Sequence, residues 1–324
     1  MLLPIRLVAQ QLTPLTTGEN LSIRGLSVVD DRTIWVSGTQ GKVGLSTDGG
    51  NSWTWHQVKG FERTDFRDIE AFDAKTAVIM GIDSPGVVLK TFNAGASWKV
   101  VHSDHTKGVF MDAMEFWDDG NGMIVGDPID KQLYILRTAD FGNTWSRYMN
   151  HRIAPTQTGE AMFASSGTNI RILTRKEGIA VTGGQSSRVL IHEKWRDLPL
   201  LQGSGSTGAN SIAVSDIKRT KKHLIVVGGD FMRDTIRTGN AAISRDGVHW
   251  EIPQTPPFGY RSCVEFIRNK TFVACGTSGV DITTDAGRNW RNLSKEGYHV
   301  VRRAQKGNAI FLAGSKGRIA RLTL

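Results

Sequence analysis

The sequence predicts an all-β fold: a seven-bladed β-propeller of four-stranded antiparallel blades, one domain over residues 1–324, with the ring closed by the N-terminal strand. Three observations predict it. A turn-forming octapeptide recurs along the chain. A strand pair folded about a glycine recurs ahead of it. Helical periodicity is nowhere sustained.

The octapeptide reads Ser/Thr-x-Asp-x-Gly-x-x-Trp. Its first copy is "STDGGNSW", Ser46 to Trp53, built around Asp48. Asn93 with Trp98, Asp140 with Trp145, and Asp285 with Trp290 repeat the layout, and Asp246 with Trp250 is a copy one residue shorter. The tryptophans are spaced by 45, 47, 105 and 40 residues, and Trp195 divides the long gap into 50 and 55. A period of that size marks a propeller or solenoid unit. Each copy reads as a hairpin turn. The Asp or Asn side chain accepts bonds from backbone N–H groups ahead of it, Gly takes the backbone conformation that closes the turn, and Trp opens the next strand over the apolar face. Each copy offers a single carboxylate with no second ligand at a useful spacing, so no metal site is expected.

Ahead of each turn lies a short apolar run, a Gly, a brief turn and a second apolar run. Examples are "TIWVSGTQGKVGLS" from Thr33 and "TFVACGTSGVDITT" from Thr271, and there are seven such segments. A further strand is expected before each: Leu26–Val29, Ile69–Phe72, Ala113–Phe116, Ala161–Ala164, Ile212–Val214, Cys263–Phe266 and Val300–Arg303. Seven units of about 45 residues account for nearly all of the 324. The last unit stops before its turn and outer strand, and "IRLVAQQL" from Ile5 is expected to supply that strand and protect the open edge.

Composition bounds the rest. Hydrophobic residues make up 39% of the chain with no long apolar run, so no transmembrane segment is expected. The net charge of +9 is spread along the chain and fits no nucleic-acid-binding module. Cys263 and Cys275 are expected on adjacent strands, either as a cross-strand disulfide or as two buried small side chains. Gly203-Ser-Gly205-Ser-Thr-Gly208 matches the dinucleotide fingerprint only formally, because no helix follows it. No cofactor is expected.

The turns resemble the Asp-box, or BNR, repeat of sialidases. With "FRDIEAF", "WVSGTQGKVGLSTDGGNSW" and "FLAGSKGRIARL" in one chain, the sequence is similar over its whole length to the photosystem II stability/assembly-factor family. That resemblance implies a non-enzymatic propeller, usually exported, that binds a protein partner during assembly. It points to a periplasmic or extracellular monomer whose signal peptide has been removed. The alternative is a glycoside hydrolase or lyase of Asp-box type. Sialidases need an arginine triad and a Tyr/Glu pair, and this chain has four tyrosines and no N-terminal arginine motif.

A site is expected where the innermost strands begin. Aligning those starts gives Arg24, Arg67, Met111, Glu160, Asn210, Arg261 and His299, with Asp68, Asp112 and Ser262 beside them. Three arginines at equivalent places suit an acidic peptide or another anionic ligand. The competing reading is that they pair with Asp68, Asp112 and Glu160 and fill the channel. Asp127 and Asp230, which follow second strands, are expected at the opposite rim.

Overall fold

The computed structural model describes residues 10–15, 19–82, 84–117, 119–174, 177–215 and 222–324, and the described regular structure is all β. Five sheets have four antiparallel strands each. In chain order they begin with Ile23–Val28, Ile34–Gly38, Lys42–Ser46 and Thr54–Gln57, followed by Phe66–Ala71, Ala77–Gly81, Gly86–Thr91 and Lys99–Asp104. The third comprises Met111–Phe116, Gly122–Ile129, Gln132–Thr138 and Ser146–Arg147. Later in the chain come Cys263–Arg268, Thr271–Gly276, Gly279–Thr283 and Arg291–Ser294. The last sheet places Gln11–Leu15 outside Ile319–Thr323, Ile310–Ala313 and Val300–Arg303.

The remaining sheet has eight strands and joins two blades. One blade holds Glu160–Ala161, Ile170–Thr174, Glu177–Gly184, Arg188–Ile191 and Lys194–Asp197, the other Thr207–Val214, Leu224–Asp230 and Ala241–Ser244. A single pairing, Gly183 opposite Gly208, links them.

Successive first strands lie side by side through the chain, and Val300–Arg303 lies against Ile23–Val28. Apolar side chains fill the space between neighbouring sheets. Trp35, fully buried, packs with Phe66, Ile69 and Leu89, and its indole N–H donates to the Asp73 carbonyl at 2.9 Å.

The outer strand of the last sheet begins at Gln11 and runs to Leu15, with Gln11 opposite Thr323 and Leu15 opposite Ile319. Residues 5–9 of the expected stretch lie outside the described residues. Thr54–Gln57 starts one residue after its tryptophan, and no strand follows Trp250, where only an isolated pairing of Ile243 with Glu251 forms. That turn is one residue short, and Pro253, Pro256 and Pro257 remove the amides an edge strand would use.

The fourth innermost strand also departs from expectation. In place of Ala161–Ala164 there are two short strands, Glu160–Ala161 and Ile170–Thr174, separated by Met162 to Asn169. The sequence Ser165-Ser166-Gly167 favours a turn over a strand, and Gly167 adopts φ 64°.

Each octapeptide forms the expected staple. Asp48 accepts the Ser52 amide at 2.9 Å and its hydroxyl at 2.6 Å, the Ser46 hydroxyl bridges Asp48 and the Gly50 amide, and the Trp53 indole donates to the Gly50 carbonyl. The Ser52 donors hold the Asp48 carboxyl down at about 2. Asn93, Asp140, Asp246 and Asp285 make corresponding bonds within their own turns. Trp98, Trp250 and Trp290 repeat the indole bond to the turn glycine. Cys263 and Cys275 stand directly opposite each other as buried free thiols.

Candidate functional site

The innermost strands all begin at one end of the axis, which forms a mouth. A β-bulge places one extra residue near the start of several of them, between Ile23 and Gly25, Phe66 and Asp68, Met111 and Ala113, and Ala209 and Ser211. The bulge residues are therefore Arg24, Arg67, Asp112 and Asn210. A bulge re-aims its side chain out of the alternating pattern. Ser262, whose amide bonds the Cys275 carbonyl, and His299, whose amide bonds that of Ala313, hold the matching positions in the last two sheets.

This register moves two expected residues. Asp112, not Met111, is the counterpart of Arg24. Arg261 lies one residue before the level of Arg24 and Arg67, and alternation sends its side chain elsewhere. Its guanidinium is fully buried against the equally buried Asp281 at 2.6 Å, and it also donates to the Tyr260 carbonyl at 2.7 Å and to Ser278 at 3.0 Å. Arg261 thus holds the inside of its blade and offers nothing to a ligand.

The other expected residues divide between scaffold and mouth. Asp68 is fully buried and accepts the Ile69 and Met114 amides, and burial pushes its carboxyl up to about 7 against the pull of Arg302. Asp112 is also fully buried, and burial together with Asp127 raises its carboxyl well above the usual range. Glu160 pairs with Arg188 and Thr182. Ser262 donates to the His299 carbonyl at 2.6 Å. Asp127 and Asp230 sit at the mouth rather than the opposite rim, because second strands end where first strands begin; Asp230 pairs with Thr207. The octapeptide turns occupy the far end, where third strands finish.

Arg24 and Arg67 remain half-buried at the mouth. Arg67 bonds Asp65 at 2.7 Å. Arg24 forms no ion pair among the described residues, and its one hydrogen bond goes to the Ser165 carbonyl at 3.1 Å. Burial and the nearby Arg67 both lower its pKa. His299 sits beside them and contacts the Ser22 hydroxyl at 3.3 Å. Burial, with Arg24, Arg67 and Arg318 nearby, holds its imidazole down at about 3. Burial first, and then these arginines, keep the histidine neutral at the mouth.

This geometry has a pH consequence. Below pH about 6.5 the unfolded chain protonates this histidine while the folded protein resists until about pH 3. Stability contributed by neutral His299 is present above pH about 6.5 and is lost as pH falls towards 3. His299→Gln is expected to retain about 3 kcal/mol more of its neutral-pH stability at pH 4 than the parent does. Parallel denaturant melts at pH 4 and pH 7 check this, and equal pH dependence of the two proteins would contradict it.

The segment Met162 to Asn169, whose first residues up to Ala164 were expected as strand, instead crosses the channel as a plug. Ser166 donates to the Ser262 carbonyl at 2.7 Å, Thr168 bonds Ser211 at 2.6 Å, and Arg67 reaches the Ala164 carbonyl at 3.4 Å. Gly167 lies so close over Asp68 that a β-carbon there would fall 2.3 Å from the carboxyl carbon. The run of small residues was its only sequence signal.

Beyond the plug, towards the far end, the channel opens into a cavity of about 760 Å³. Its floor is a charge network in which Arg171 bonds Glu115 at 3.0 Å and Glu265 at 3.3 Å, and Arg302 bonds Glu70 at 3.3 Å. These residues sit two places beyond the plug level on their strands, where alternation again points side chains at the axis.

No family model matches the chain, and no curated protein matches it in sequence. Solved structures do. YCF48 bound to D1 peptide superposes with a TM-score of 0.65 at 16% identity, covering 97% of both chains. The chain is a β-propeller. YCF48 from Cyanidioschyzon merolae gives 0.60 at 14% identity, covering 96% of this chain and 98% of that one. The WD40 propeller domain of Doa1 gives 0.63 at 14%, covering 98% and 97%. The propeller thus has the fold of YCF48.

Proposed function

We propose that this propeller is a non-enzymatic, exported binding protein that holds an assembly partner through an acidic segment at the mouth. We read it as one domain of seven blades, counting the eight-stranded sheet as two, with Gln11–Leu15 completing the last blade and closing the ring, and as a monomer in the periplasm or outside the cell. The observation that carries the reading is Arg24. It is a guanidinium at the channel mouth, beside Arg67, with no carboxylate in ion-pair contact among the described residues; Asp65, which is held by Arg67, attracts it only at longer range. Keeping like charges together in a partly desolvated recess costs free energy that an incoming carboxylate offsets, through charge-assisted bonds stronger than neutral ones. The peptide-bound state of a propeller with the same fold supports it. The anchors are Arg24 and Arg67. Asp68, Asp112, Glu160, Ser262 and His299 shape the recess from behind.

The test is binding of a fluorescein-labelled peptide ending in two aspartates, followed by anisotropy. Arg24→Ala with Arg67→Ala is expected to keep the fold and to weaken binding at least about tenfold, since a lost charge-assisted bond typically costs about 1.5–3 kcal/mol. Unchanged affinity in the double variant would remove the mouth as the site.

A further inference from the structure

An apolar patch adjoins the arginine mouth. The loop after Leu224–Asp230 carries Phe231 and Met232, which are 40% and 74% exposed, and Phe258 nearby is 37% exposed. Exposed large apolar side chains that cluster beside a polar recess, instead of scattering singly, mark an interaction surface. Second strands end at the mouth, and the Phe231 amide bonds the Ser206 carbonyl there. Phe231 stands edge-on to Phe163 of the plug, with centroids 5.7 Å apart, and to Tyr260 at 6.2 Å. The Tyr260 hydroxyl reaches Ser165 at 3.3 Å and Asn210 at 2.8 Å. Ser165 is the residue whose carbonyl Arg24 holds. Patch and guanidinium are thus joined through one short piece of plug, Phe163 to Ser165. Arg237 lies over the Phe258 ring at 3.9 Å.

We infer that the mouth has a second subsite, formed by Phe231 and Met232, that takes a large apolar side chain of the same partner segment whose acidic group meets Arg24 and Arg67. The inference rests on the proposed reading of the mouth. The occupant is an extended stretch of a partner protein that carries a large apolar residue close in sequence to a carboxylate, so that one segment reaches both the patch and the arginines. Arg24 and Arg67 select the acidic end of that stretch. Phe231 is already braced by Phe163 and Tyr260, so it is ordered before the partner arrives, and Met232 supplies an adaptable contact.

Two labelled decapeptides test it, one ending Leu-Phe-Asp-Asp and the other Ser-Ser-Asp-Asp. The parent protein is expected to prefer the first about tenfold, the effect of burying one large apolar side chain. Met232→Asp, at a site too exposed to disturb folding, and Phe231→Ser should each bring the ratio close to one. Arg24→Ala with Arg67→Ala should weaken both peptides and leave the ratio unchanged. Equal binding of the two peptides by the parent would overturn the subsite while leaving the arginine mouth standing. A preference that survives Met232→Asp and Phe231→Ser would also overturn it. Absence of binding by either peptide would overturn the mouth reading and the subsite with it.

Discussion

Arg261→Met is expected to destabilise the protein by about 3–5 kcal/mol, the usual result of stranding one member of a buried ion pair. Asp281 would be left fully buried with only the Phe258 amide and the Asn292 side chain to satisfy it. Adding Asp281→Asn should recover a large part of the loss. The neutral amide oxygen still accepts from Phe258, and no unpaired charge remains. Denaturant melts of the two variants measure this. Peptide affinity of the folded single variant should match the parent. A single variant as stable as the parent, or one that folds normally and loses peptide binding, would restore Arg261 to the ligand site and contradict the register that removes it.

Trp290→Ala is expected to cost about 3–5 kcal/mol. Trp290 is 3% exposed and packs among Ile225, Ala241 and Phe272, so it ties its own blade to the preceding one. Its indole also donates to the Gly287 carbonyl at 3.0 Å, and Gly287 has no room for a side chain because a β-carbon would lie 2.7 Å from Ile225. The same substitution at Trp53 or Trp98, which are only partly buried, should cost less. EDTA should shift neither melt, because the Asp285 carboxylate is already engaged by Thr283 and Asn289. A Trp290→Ala protein melting with the parent would show that the turn staples nothing. A large shift with EDTA would return the carboxylates to metal binding.

The sequence by itself determined the blade pattern and the role of its turns. Both are local: a turn whose donors and acceptors lie within four residues, as at Asp48 and Ser52, is written in contiguous sequence, and so is the strand alternation around it. The partner of the last blade's outer edge was legible in outline, because the final unit lacks a strand. Its bounds were not, since register depends on pairing with Ile319–Thr323.

Only the tertiary structure decided the candidate site. A one-residue bulge separates Arg24 and Arg67, which face the mouth, from Arg261, which faces Asp281, and bulges are set by contacts across strands rather than by residue type. The plug of Met162 to Asn169 was not foreseen, and its start up to Ala164 was expected as strand, because its bonding partners, Ser211, Ser262 and Arg24, are distant in sequence. The apolar patch at Phe231 and Met232 became visible only once the ring of strands had brought it beside those arginines, and the charge network of Arg171, Glu115 and Glu265 formed across three blades. Contacts between residues far apart in the chain leave no local pattern, and a site on the axis of a propeller consists of little else.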